Sequence, residues 1–132
     1  MGVFQSLEEA KEYFKNDTFA TGNGMEIVSI GEGTAETRMT VDRRHENAEG
    51  GVMGGVIFTL ADFTFAVAVN NVHKPTVAQQ VSINFLSAPK DKVLTARARQ
   101  VKDGRTSGVY IVDVHDGTGR HIAQFVGTGF KL

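Results

Sequence analysis

The sequence predicts an α+β fold in which an antiparallel sheet of about five or six strands curls over one long central helix. Three observations carry that prediction. Residues 56–69 form an apolar run with a single charged residue, Asp62, between the glycine-rich stretch 47–55 and the pair Asn70-Asn71. Residues 34–41 alternate strictly, with Ala35, Thr37, Met39 and Val41 on one side and Thr34, Glu36, Arg38 and Thr40 on the other. From Thr76 onward the chain reads as strand-like segments separated by short polar turns.

The apolar run is too long for an ordinary strand, so helix is the better reading. A helix with almost no polar stripe must be buried on most sides. It is shorter than the roughly 18 unbroken apolar residues of a membrane span and carries an acid at its middle. The Gly54-Gly55 pair marks its start, and Asn70-Asn71 closes it.

The other elements follow in order. Ser6 and Glu9 fit a capping box, and Leu7, Ala10, Tyr13 and Phe14 recur at helical spacing, which predicts a short amphipathic helix over 6–16. Residues 19–23 read as irregular. Strands are predicted over 25–30 and 34–41, around the turn Gly31-Glu32-Gly33. The polar segment 42–49 reads as a loop, with His45 a surface residue. Further strands are expected over 76–86, 93–101, 107–114 and 122–130, and the short turns between them imply an antiparallel meander.

The chain has 132 residues, enough for one core, so residues 1–132 are expected to form a single domain with 1–18 as an N-terminal helical segment. The formal charge of −1, with both signs interspersed, gives no basic surface for nucleic acid. There are no cysteines, which excludes disulfides, thiolate metal sites and a cysteine nucleophile, and fits a reducing compartment. Acids fall where a signal peptide would be apolar, so a cytoplasmic location is expected. His45, His73, His115 and His121 match no metal motif, and no metal is expected. The GGVMGG segment lacks the lysine of a phosphate-binding loop.

Two features point to chemistry. A carboxylate inside an apolar helix is tolerated when hydrogen-bonded, paired or held neutral, so Asp62 is either a structural group, capping a neighbouring backbone or pairing with an arginine across an interface, or a reactive acid. Glycines at a helix start leave backbone N–H groups open to an anion, although a tight turn also explains them. Gly54 and Asp62 are eight positions apart, roughly 12 Å along a helix axis. One carbonyl cannot touch both. If they act together, the acid and the donor come from two copies of the chain, which requires at least a homodimer.

The pattern Asn47-x-x-Gly50-x-x-Met53-Gly54-Gly55, followed after six residues by Asp62, closely resembles the signature of hot-dog-fold acyl-CoA thioesterases. The nearest branch is the PaaI-type group of the phenylacetate pathway. The resemblance extends through Ser82-Ile83-Asn84-Phe85-Leu86 and Pro89 to Gly119-x-x-Ile122-Ala123-Gln124 and Gly127-Thr128-Gly129, and covers roughly residues 20–130. It implies a hot-dog fold, with the sheet wrapped around the central helix. It also implies that Asp62 acts as general base or nucleophile, that the Gly54 N–H stabilises the oxyanion, and that Asn47 positions water or the carbonyl.

Met53 replaces the family's histidine and cannot donate a hydrogen bond to a thioester carbonyl. With Gly55 it is placed in the substrate pocket, together with Gln80 and Ser82 from the strand after the helix. Phe58, Phe63 and Phe65 are candidates for the acyl pocket or for the core. Lys102, Gly104, Arg105 and Thr106 resemble the segment that touches the nucleotide end of coenzyme A, and solvated hairpin charges are the other reading. The expected function is hydrolysis of an acyl or aryl-acyl thioester, with no cofactor beyond the coenzyme A of the substrate. The expected assembly is a homodimer, or a tetramer of two such dimers. The alternative is a hot-dog domain that binds acyl-CoA without hydrolysing it, for which Met53 is the main support.

Overall fold

The computed structural model describes residues 2–132. Six strands form one antiparallel sheet: β1 (Glu26–Gly31), β2 (Thr34–Thr40), β3 (Thr76–Phe85), β4 (Val93–Asp103), β5 (Ser107–Asp116) and β6 (His121–Lys131). Their order is β1-β2-β4-β5-β6-β3. The long helix α3 (Gly54–Asn70) packs against all six. The expected meander holds for β4, β5 and β6. It fails for β3, which lies beyond β6 at the sheet edge rather than beside β4. The helix carries the chain from β2 across the sheet, and residues 86–92 return it to β4.

Nearly every side of α3 is covered. Leu60, Ala61, Thr64, Phe65, Val67 and Ala68 are buried, while Gly55, Thr59, Asp62 and Ala66, at spacings of four, three and four, form the one open stripe. The Thr64 hydroxyl donates to the Leu60 carbonyl at 2.6 Å and accepts from the Thr37 hydroxyl at 2.7 Å, so this buried polar pair ties α3 to β2. Phe65 packs edge-on against Tyr110 and beside Phe125.

Two short helices precede the sheet. In α1 (Leu7–Phe14) the Ser6 hydroxyl accepts from the Glu9 N–H at 3.1 Å, but the Glu9 carboxylate takes the Gln5 N–H rather than closing the box on Ser6. Residues expected to be irregular form a one-turn helix, α2 (Thr18–Gly22). Five residues are too few to show a period, which is why the pattern missed it.

The segment before α1 is fastened to the far end of α3 by Asn71, which is 1% exposed. Its side-chain carbonyl accepts from the Phe4 N–H at 2.9 Å, its amide donates to the Gly31 carbonyl at 2.8 Å, and its backbone carbonyl accepts from Val3 at 2.8 Å. A Cβ on Gly2 would lie 2.3 Å from that backbone carbonyl, so glycine alone fits. Asn71→Ala leaves two buried backbone groups unpaired, and a thermal melt should show a loss of about 2 kcal/mol. Its kcat should be unchanged, because Asn71 bonds neither Asp62 nor any residue around Gly54.

At the β5–β6 turn, Asp116 accepts from the Thr118 hydroxyl at 2.6 Å and from the backbone N–H groups of Lys90, Arg120 and Thr118. The Thr118 hydroxyl above all, with those N–H groups and against burial, holds its carboxyl down at about 2. His115 and His121, which flank the same turn, stack at 4.6 Å, and His121 Nε2 meets Asp113 at 2.8 Å.

Candidate active site

The start of α3 is built by the loop before it. Asp42 caps the short 3-10 turn Arg43–His45, accepting from the Arg44 N–H at 3.0 Å. His45 is not the surface residue expected: it is 1% exposed. Its Nδ1 accepts from the Asp42 N–H at 2.9 Å and its Nε2 faces the Asn23 carbonyl at 3.1 Å, which fixes the proton on Nε2. The ring thus supplies two backbone partners, and for that reason it is buried. The His45 carbonyl then accepts from the Met53 N–H at 2.9 Å, setting where α3 begins.

Asn47 folds the glycine-rich loop. Its side-chain oxygen accepts from the N–H groups of Glu49 at 2.9 Å and Gly51 at 3.1 Å, and its backbone N–H reaches the Gly51 carbonyl at 2.7 Å. Gly50 turns the chain at φ +83, in the left-handed region that favours glycine. Loop-building therefore occupies the Asn47 oxygen, while its Nδ2 has no partner among the described residues.

Met53 precedes the first turn in an extended conformation and makes no side-chain cap. The Gly54 and Gly55 N–H groups consequently find no acceptor among the described residues, as expected for an uncapped helix start. The Met53 side chain is 53% exposed and lies over Gly55. The Phe85 ring lies across Gly54, 3.4 Å from where a Cβ would stand, so a larger residue there would press on it. A cleft of about 430 Å³ opens at this point, lined by Asn47, Gly51, Gly54, Ile57 and the segment from Phe85 to Pro89. The sequence marks Phe85 only as part of the resembling stretch 82–86 and not as a site residue; its signal is a large apolar residue at the exposed end of a strand. A groove of about 500 Å³ between residues 2–7 and β1 contains none of these groups.

Asp62 lies on the open stripe of α3, eight positions from Gly54, half-buried and without a hydrogen bond or ion pair among the described residues. Burial raises its pKa above the ordinary 3.8, and the charge of Asp17 raises it further. The structure therefore brings Asn47, Met53, Gly54 and Gly55 together and holds Asp62 away from them, roughly 12 Å along the axis.

Phe63 and Phe65 are core residues at 3% and 2% exposure; Phe58 is half-buried and meets Phe125 edge-on at 5.6 Å. Gln80 and Ser82 lie on the face of β3 opposite Val81 and Ile83, which pack against the core, so within one chain they point away from α3. Lys102 lies near the end of β4, opposite Val109, and Gly104, Arg105 and Thr106 form the β4–β5 turn, where Lys131 pairs with Asp103 at 2.8 Å and donates to the Gly104 carbonyl. Lys102 and Arg105 have no acidic partner among the described residues. A small crevice shared by Asp103, Lys131, Val69 and Val72 places this turn at the C-terminal end of α3, away from Gly54. No group of three or more acids and histidines among the described residues is arranged to hold a metal.

A six-stranded antiparallel sheet around one long helix, with an open glycine start and a mid-helix acid, is the hot-dog architecture of the thioesterases. Residues 49–123 match the sequence profile of the Thioesterase superfamily. The acyl-coenzyme A thioesterase PaaI of Escherichia coli is 32% identical over 129 residues, covering 97% of this chain and 92% of that protein. The solved structure of E. coli PaaI, from the phenylacetic acid degradation operon, superimposes with a TM-score of 0.88, covering 96% of each chain. A thioesterase protein of Streptococcus pneumoniae solved with coenzyme A gives a TM-score of 0.82 at 32% identity, over 89% of this chain and 94% of that one. The chain belongs to the Thioesterase superfamily.

Proposed function

We propose that this protein is a cytoplasmic acyl-CoA thioesterase, hydrolysing an acyl or aryl-acyl thioester to coenzyme A and the free acid at sites shared between two copies of the chain. The observation that carries this is the division of α3: an unpaired carboxylate at mid-helix and unpaired N–H donors at its start, too far apart to act on one carbonyl. Water attacks the thioester carbon as Asp62 takes its proton, the Gly54 N–H of the other copy holds the developing oxyanion, and the thiol of coenzyme A departs. Direct attack by Asp62 would use the same geometry. The Asn47 Nδ2, without a partner among the described residues, would donate to water or the carbonyl.

The edge strand supports a pair. β3 is hydrogen-bonded on one side only, to β6, and along it Val77 and Phe85 are exposed. A long, regular edge strand is normally covered, and antiparallel pairing with a second β3 would cover this one. Such a two-fold places one copy's β4–β5 turn at the end of the other's helix. Lys102, Gly104, Arg105 and Thr106 would there meet the phosphates of coenzyme A, and Gln80 and Ser82 would line the joint. A dimer of such dimers uses the remaining sheet surface. No helix of the described residues is long and apolar enough to cross a membrane.

A free-thiol assay across acetyl-, medium-chain, phenylacetyl- and benzoyl-CoA tests the reading. Thiol release from at least one is expected; stabilisation by all of them without release would leave an acyl-CoA-binding protein instead. Met53→His restores a donor beside the carbonyl and should raise kcat on the best of these roughly tenfold. An unchanged kcat would show that methionine costs this site nothing.

A further inference from the structure

We propose that the stacked pair His115 and His121 is a proton-sensitive support of the cleft wall, so that charging both rings loosens residues 86–90 and weakens the hold on acyl-CoA. The inference rests on reading the cleft at Gly54 as the acyl-CoA site. The two histidines oppose each other in register across β5 and β6. Val112 and Val114 point into the core, so the pair lies on the sheet face turned away from α3. The rings are 4.6 Å apart and 11° from parallel. His121 Nε2 donates to Asp113 at 2.8 Å, and the Gln124 amide donates to the same oxygen at 3.2 Å. His115 lacks such a partner: its Nδ1 is buried without a hydrogen bond among the described residues.

Histidine changes charge between about pH 5 and 8. A first proton on the pair is well met, because His121 then carries it against the Asp113 carboxylate. A second proton falls on His115 and meets two penalties. The rings become like charges at stacking distance, and the charged His115 carries an N–H at Nδ1, where no acceptor stands. Both are relieved when the rings part. The surrounding groups do not remove the conflict. From β4, Thr95 faces His115 and Arg97 faces Asp113, with Arg97 engaged to Glu36 at 2.9 Å. Arg38 of β2 lies beyond, opposite Thr95, and Asn84 of β3 lies opposite Gln124. In the turn, Arg120 is exposed, and Asp116 is taken up by Thr118 and by the N–H groups of Lys90, Thr118 and Arg120. The Asp91 carboxylate lies against Gly117 and accepts from the Val93 N–H at 3.3 Å. None of these carboxylates pairs with His115 among the described residues.

The pair stands one residue from both anchors of the wall. His121 precedes Ile122, whose carbonyl accepts from the N–H groups of Leu86 at 2.8 Å and Ser87 at 3.2 Å. His115 precedes Asp116, whose Oδ2 accepts from the Lys90 N–H at 2.7 Å. Between those anchors run Ala88 and Pro89, which line the cleft beside Gly54 together with Phe85, Leu86 and Ser87. The ladder of β5 and β6 shifts register between Val114 and His115, so regular pairing gives way where the rings meet. Rings that part there act on the backbone that carries both anchors.

The test compares wild type with His115→Phe, which keeps a stacked ring and takes no proton, at about pH 5.5 and about pH 8. Amide hydrogen exchange at Leu86, Ser87 and Lys90, corrected for its intrinsic pH dependence, reads the wall; calorimetry reads the Kd of coenzyme A. In wild type, protection of these amides should fall about fivefold at the lower pH. Coenzyme A should weaken between the two pH values by about fivefold more in wild type than in His115→Phe. Asp62, His45 and the ligand phosphates titrate in both proteins, so their effect cancels in that comparison. In thiol release from phenylacetyl-CoA the difference should appear in KM and not in kcat. Wild-type protection equal at the two pH values overturns the proposal, whether or not the variant folds. So does a fall of the same size in His115→Phe, or the same pH ratio of Kd in both proteins. If protection falls in wild type alone but neither protein binds coenzyme A, the reading of the cleft fails rather than the coupling of the pair to the wall.

Discussion

Asp62→Asn is expected to fold, to melt at a higher temperature than wild type, and to lose about a thousandfold or more in kcat. The two effects share one cause. Burial, and then the Asp17 charge, raise the Asp62 pKa, so the folded state holds a proton on this carboxyl to higher pH than the unfolded chain does. Below the unfolded value the group has no effect on stability. As pH rises through the folded value the cost of ionising it in place appears in full, and it persists at neutral pH. Asparagine removes that cost and removes the base with it. Activity must follow the opposite course, falling as pH drops through the raised pKa of Asp62. Equal melting temperatures with kcat retained would show that Asp62 is neither strained nor catalytic.

Gly127→Ala is expected to destabilise by about 3 kcal/mol while leaving the residues around Gly54 in place. A methyl there would lie 2.8 Å from Phe65 Cε1 and 2.9 Å from Phe125 Cε1. Neither ring is free to move: Phe125 is 0% exposed and Phe65 2%, and their centroids lie 5.6 Å apart. The double variant Gly127→Ala, Phe65→Leu should recover part of the loss, because the two sites share one space. Thermal melts of Gly127→Ala, Phe65→Leu and the double variant decide it, and a Gly127→Ala melt equal to wild type would mean that the rings give way.

These rings explain a motif that the sequence showed without a reason. Gly127-Thr128-Gly129 reads as a family feature, and its physical content is a groove in β6 for a side chain of α3. Alternation and helical length made the sheet, the buried helix and the inward face of β2 readable in the chain. Position in the sheet was less so, since the place of β3 beside β6 depends on what the helix spans. His45 stayed hidden because nothing local separates a histidine that completes a cap from one that faces water, although Asp42 three positions before it is the spacing of a capping box. Of the candidate site, the glycine start of the helix was legible in the sequence itself and Asn47 and Met53 through the resemblance, while the distance from Gly54 to Asp62 calls for a second chain only if the two act together.

The cleft wall from Phe85 to Pro89 is fixed at both ends. The Ile122 carbonyl receives the N–H groups of Leu86 and Ser87, at 2.8 and 3.2 Å, and Asp116 receives that of Lys90 at 2.7 Å. A stretch without regular secondary structure is thereby as settled before a guest arrives as after it. Little freedom is left for the guest to quench, so association here should carry a small entropic penalty and resemble insertion into a rigid slot more than closure of a flap.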